Sequence, residues 1–297
     1  MFKKLSVGLC AVAAAFLTFI LLFTSAELVM QNRAFVSREY NKLMTARTMG
    51  VSSSDLNDSY FRLVDYMHGR VPDINIIVTQ NGEKIHMFSD DQEISHMKDV
   101  RTLYARIASL RTFSLMAMAA LYVAAALLSI RSVPHSIAKG YVLGTFVILM
   151  PVAFIGTWAV LDFPNFWNFF HEALFWNGDW LFPSTSRMIQ MLPEEFFRDM
   201  VLLIVLVAGA AIVLLLALSF TVIHLWHKRE EKRYEAALEA RRKRRREKRL
   251  MQSALEADSE SAFGSGEEQV KKKKHAAAGE EAPRRKKKKG KSEATAE

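Results

Sequence analysis

The chain has 297 residues, a net charge of +9 and 51% hydrophobic residues, with the apolar runs confined to residues 1–227 and the charge concentrated in 228–297. That segregation excludes a uniformly basic globular domain and points to a membrane protein with a basic tail. One cysteine, Cys10, excludes an intrachain disulfide framework.

Residues 5–26 contain no Asp, Glu, Lys or Arg, and a membrane span needs roughly 20 apolar residues. Lys3 and Lys4 precede the run and small residues follow it, as in a secretory signal. Its apolar core exceeds the ~7–15 residues of such signals, so a retained anchor over 1–26 is expected.

The segment 27–111 reads as folded. "SSDLNDSYFRLVDYMHG" predicts a helix capped by Ser54 or Asp55 and stopped by Gly69. "DINIIVTQNGEKIHMFS" predicts a β-hairpin turning at Asn81-Gly82. The next helix, capped by Asp90 or Asp91, carries an apolar stripe of Ile94, Met97, Val100, Tyr104 and Ile107 and runs on into a second span at 112–130. The resulting α+β cap is too small to bury a core alone and is expected to lean on the membrane helices.

A short basic link, "RSVPHSIAK", leads to a third span at 140–161, and an aromatic loop at 162–199 separates this from a fourth at 200–226. The fold class is therefore mainly α: a four-transmembrane-helix bundle with a small extracytoplasmic α+β cap and a disordered basic C-terminal tail. Bases flank the first span, the short link and the end of the fourth span. The positive-inside rule puts those ends, and both termini, in the cytoplasm and the two large loops outside the cytoplasmic membrane. The tail, 227–297, begins with a stretch able to prolong the fourth helix and then becomes low in complexity, with "KKKK" and "RRKKKKGK". Such clusters attract anionic lipid head groups. With only Tyr234 and Phe263 as aromatics the tail has no base-stacking platform, which disfavours nucleic acid. "GKS" at 290–292 lacks the first glycine of a phosphate loop.

Of eight histidines, His135, His224 and His227 fall at cytoplasmic ends, His275 in the tail, and His68 and His86 read as surface residues of the cap. His96 and His171 differ: both are expected at the outer boundary of the bilayer, one at the edge of an apolar stripe, the other within "FPNFWNFFHEALFWNGDW". Polar groups at a lipid boundary cost energy unless they serve a cavity or a site, and an imidazole exchanges a proton near neutral pH. Asp99 lies one helical turn after His96, able to orient the ring or pair with Arg101, while Asn177, Asp179 and Trp180 follow His171. A backbone-bonded role remains the plain alternative for each ring. There is no HExxH motif for zinc and no nucleophile elbow or triad. General acid/base chemistry by two histidines, with no metal and no cofactor, is the simplest enzymatic scheme.

"HMKDVR" at 96–101, "FHEALFWNGDWLFP" ending at Pro183 and "MIQMLPEEFF" at 188–197, in this order and topology, resemble the bacterial lipoprotein intramolecular transacylases. The resemblance covers roughly residues 1–226; where the family often carries an acid after the proline, this chain has "PSTSR" with Ser186. It implies movement of the sn-2 acyl chain of a diacylglyceryl-cysteine lipoprotein to the α-amine of the same cysteine, giving the lyso form. It also implies that His96 and His171 are the functional histidines. Asp99, Arg101, Asn177 and Trp180 are candidate supporting groups, the last three as oxyanion donors. The partner is then a lipoprotein N-terminus with its lipid. Two other classes stay open: a non-enzymatic membrane sensor or assembly protein signalling through the tail, and a metal-dependent membrane hydrolase.

Overall fold

The structure, a computed structural model, describes residues 2–278, with side chains described through 256. Its elements in chain order are α1 (Phe2–Met30), α2 (Arg33–Lys42), α3 (Thr45–Met49), α4 (Ser53–Met67), β1 (Ile77–Gln80), β2 (Glu83–His86), α5 (Asp91–Leu128), α6 (Val133–Leu161), α7 (Phe163–Leu174), α8 (Arg187–Met191) and α9 (Glu194–Ala278). The chain is thus mainly helical. Among the described residues four helices, α1, α5, α6 and α9, are long and apolar enough to cross a membrane.

Of the described residues, those up to 227 form one unit and 228–278 another. In the first, α1 packs along α5 and α6. Small residues make this possible: a Cβ added at Gly140 would stand 2.7 Å from the Cys10 carbonyl carbon, and one at Gly144 would meet the Ala11 oxygen. Glycines four apart that let two backbones touch are the usual means of helix association where lipid offers no hydrophobic drive.

The hairpin forms as its sequence predicts. Asn81 and Gly82 have φ of 50° and 93°, both left-handed, the type I′ geometry that matches strand twist. β1 and β2 pair antiparallel from Ile77 opposite His86 to Gln80 opposite Glu83. Asn81 N donates to Gly50 O at 2.9 Å and Gln80 Nε2 to Met49 O at 2.7 Å, which docks the hairpin on the end of α3. The cap of α4 is Ser52, two residues before the earlier of the two expected caps. Its hydroxyl accepts from Asp55 N at 2.9 Å, and Asp55 instead takes Thr79 N of the hairpin. Gly69, at φ 73°, follows the end of α4 as expected.

The core of this end is completed by later segments of the chain. Phe35, Tyr40, Leu56, Tyr60, Val64 and Met97 share one apolar cluster with Met188, Met191, Phe196 and Met200, the last two from the start of α9. Lys42 bridges Glu39, at 3.1 Å, and Asp199, tying α2 to α9. α5 runs without a break from this cluster into its apolar stretch, so one helix positions both. In the second unit α9 continues to Ala278, its described side chains almost all exposed. Residues 279–297, including the run "RRKKKKGK" and the end of the tail expected to be disordered, lie outside the described residues.

Candidate functional site

His96 sits in the second turn of α5, whose N-cap, Asp90, accepts from Gln92 N at 2.8 Å. It precedes the charge-free stretch of that helix by four turns. His171 sits in the last turn of α7, a helix started by Asp162 and Pro164. The two rings face one another with centroids 6.2 Å apart, and each residue is only 8% exposed.

The rings are held differently. His171 Nδ1 lies 2.8 Å from Trp167 O. A carbonyl only accepts, so Nδ1 donates and the Nε2 of the neutral ring carries the free lone pair. Trp180 stacks on this ring at 4.9 Å and Trp167 meets it edge-on at 4.4 Å. His96 Nδ1 is buried with no hydrogen-bond partner among the described residues. Its ring is instead wedged edge-on between Phe175, at 5.0 Å, and Phe182, at 5.4 Å.

Burial pushes the His96 imidazole down to about 4, helped by the neighbouring His171 and opposed by the Asp99 and Asp179 carboxylates. Burial also lowers His171, against the effect of the Trp167 carbonyl. Taking an imidazolium out of water is unfavourable, so both rings are neutral at pH 7. Each can therefore accept a proton and donate an N–H.

They open into a cavity of about 540 Å3 whose walls are mostly apolar. Along α5 it is lined by His96, Met97, Val100 and Leu103, so it extends about 10 Å down the helix at ~1.5 Å per residue. Trp167, Phe170 and His171 of α7 and Phe197 and Met200 of α9 close the sides, and the segment from Phe175 through Leu192 covers it. The cavity thus sets two neutral imidazoles in a wall that is otherwise largely apolar, which leaves room beside them for an apolar chain.

Of the residues singled out in the sequence, His96, His171 and Trp180 come together on the cavity wall. Asp99 and Asn177 meet each other instead of the rings: Asn177 Nδ2 donates to Asp99 Oδ2 at 2.7 Å and to Asp179 Oδ2 at 3.1 Å. Ser95 Oγ also donates to Asp179 Oδ2, at 2.7 Å, and Gln92 Nε2 donates to the carbonyls of Asp179 and Leu181. One face of α5 thus pins the loop 177–181. Arg101 lies over the Tyr66 ring at 4.7 Å and does not line the cavity.

Sequence reasoning missed Glu93. It is 2% exposed, and its Oε1 accepts from Ser186 Oγ at 2.6 Å and from Met188 N at 3.1 Å. An acid in the first turn of a helix has a ready explanation in the helix dipole, which hid it. Its spacing of one turn before His96 was the available signal. Among the described residues no group of three His, Cys, Asp or Glu is placed to hold a metal ion.

The family model for the lipoprotein intramolecular transacylase Lit matches residues 11–197. The structure of the membrane integral lipoprotein intramolecular transacylase Lit from Bacillus cereus is similar at a TM-score of 0.59 and 18% identity, covering 76% of this chain and 98% of that one. Structures of the same protein with a histidine replaced by arginine or by alanine match at a TM-score of 0.55 and 16% identity, each over 76% of this chain. Those variants are covered over 94% and 96% of their length, respectively. No curated protein sequence matches the chain.

Proposed function

The chain belongs to the lipoprotein intramolecular transacylase family, whose model matches more than half of it, and on that premise we propose that it moves the sn-2 acyl chain of a diacylglyceryl-cysteine lipoprotein to the cysteine's own α-amine. It is a membrane transacylase acting on lipoproteins. The observation that carries the finer reading is the pair of buried, neutral imidazoles 6.2 Å apart in the wall of a largely apolar cavity.

The amine attacks the ester carbonyl, an N–C bond forms and the C–O bond to the glyceryl oxygen breaks. One proton leaves the nitrogen and one arrives on the glyceryl oxygen, so no external reactant is consumed. His171 Nε2, left with its lone pair by the bond to Trp167, takes the proton from the amine. His96 complements it from across the cavity, where its ring centroid stands 6.2 Å away. With Asp99 engaged by Asn177 and burial holding the ring neutral, its part is to donate an N–H hydrogen bond to the oxygen on which charge develops. The His171 imidazolium then returns the proton to the glyceryl oxygen. Nucleophile and ester belong to one molecule, so much of the orientational cost is met by the substrate. The aromatic and aliphatic walls hold the acyl chain.

The test is mass spectrometry of lipoprotein N-termini in a host that makes only the diacyl form. Expression of the wild-type chain is expected to yield N-acyl, S-monoacylglyceryl cysteine. His96→Ala or His171→Ala is expected to cut turnover by ~10²–10⁴-fold, the usual worth of a positioned acid or base. An unmodified α-amine with the wild-type chain overturns the reading. A sensor or assembly protein would instead survive both substitutions and fail on deletion of the tail.

The remaining placement follows the same reading. α1, α5, α6 and α9 are the four spans, with both termini in the cytoplasm, by the distribution of Lys and Arg. Residues 27–111 form the outer cap, 162–199 the catalytic loop and 227–297 a cytoplasmic basic tail. The close packing of α1 on α6 supports a retained anchor. The bases at 228–256 would add about 1 kcal/mol each near an anionic surface.

A further inference from the structure

We propose that Glu93 is a positioning residue for His96, acting through the covering segment that carries Phe182 and Met188; the inference rests on the reaction proposed above. His171 is oriented by a hydrogen bond to Trp167 O. His96 has none among the described residues. Its orientation therefore comes from packing, and Phe182 is one of the two rings that wedge it. Phe182 lies in the irregular stretch between α7 and α8, where no helix or strand ladder fixes the backbone.

Two neighbours on α5 fix it instead. Gln92 Nε2 holds Leu181 O at 3.0 Å, one residue before Phe182, and Glu93 holds Ser186 Oγ and Met188 N, four and six residues after it. Glu93 and His96 are one turn apart on the same helix. The links form a closed circuit: Glu93 to Ser186 and Met188, through the backbone to Phe182, onto the His96 ring. The helix dipole favours an acid in this turn whether it is buried or not. It does not require a 2% exposed carboxylate, which is costly unless its hydrogen bonds are made. Burial of the carboxyl group against Ser186 and Met188 is the part that the covering segment explains.

The full-length chain in its membrane, given a diacylglyceryl lipopeptide, separates the possibilities. Glu93→Ala is expected to lower kcat per folded molecule by on the order of 10–100-fold, as displacing a reacting group by about 1 Å does, with KM little changed because the cavity remains. Glu93→Gln keeps an acceptor oxygen for Ser186 and Met188 and is expected to recover most of that loss. If Glu93→Ala does not fold, Ser186→Ala removes one link with the carboxylate in place, and a several-fold fall in kcat is expected. Wild-type kcat per folded molecule in the alanine variants, with only the yield or Tm reduced, would assign Glu93 to folding alone. A Gln variant as impaired as Ala would also overturn the proposal. Failure of the wild-type chain to transfer the acyl group would instead remove the reaction itself.

Discussion

Replacing Gly144 by Ala puts a methyl group where two backbones already meet. Its Cβ would stand 2.8 Å from Ala14 Cβ and closer still to the Ala11 oxygen. Carbon atoms in contact rest about 3.5–4.0 Å apart, so α1 and α6 must part by roughly 1 Å along their shared face. Overpacking of this kind costs about 1–3 kcal/mol. For a unit of this size that lowers Tm by about 2–12 °C, read by thermal unfolding in detergent. Gly209→Ala is the control, because its new methyl meets nothing within 4 Å. There the usual gain from replacing a helical Gly, about 0.5–1 kcal/mol, should appear. Turnover per folded molecule should survive Gly144→Ala, since Gly144 lies about 25 Å along α6 from its end at Leu161, near α7 and His171. A Tm for Gly144→Ala equal to or above that of the wild type would show that the α1–α6 approach is not the tight contact argued here.

Other outcomes test the site. The folded pKa of His96, about 4, lies below the ordinary 6.5 of an imidazole, so as pH falls the unfolded chain binds the extra proton first. Its contribution to stability is full above pH 6.5 and is lost between 6.5 and about 4; His96→Asn should therefore show a flatter Tm across that window than the wild type. Trp180→Ala frees one face of the His171 ring. An aromatic pair is worth about 0.5–1.5 kcal/mol, so a fall in kcat of roughly 2–10-fold is expected, and an unchanged kcat would limit Trp180 to lining the cavity. The tail should sediment with vesicles rich in anionic lipid and be released by salt; equal binding to neutral vesicles would contradict the lipid reading.

Much of this was legible in the sequence because its signals are local. Asn81-Gly82 sets its own turn, Asp90 caps its own helix, and charge-free runs announce α1, α5, α6 and α9. His96 and His171 were legible as a pair because each stands among apolar residues where a polar ring needs a reason. What stayed hidden depends on contacts across long separations. Asp99 looked like a partner for His96 one turn away, yet it meets Asn177, 78 positions on. Glu93 meets Ser186 across 93 positions, and no periodicity encodes that. The cap of α4 shifted to Ser52 because Asp55 had a second use, on the hairpin.

The contact between α1 and α6 also bears on how the chain is made. Gly140 follows Cys10 by 130 positions. At about 5–20 residues per second, a ribosome delivers that partner roughly 7–26 s later. For that interval the small-residue face of α1 is unmatched by α6, and α5, made earlier, is the one long helix already at hand to pack against it. Assembly thus runs in sequence order, α1 meeting α5 first and closing its glycine-lined contact only when α6 arrives.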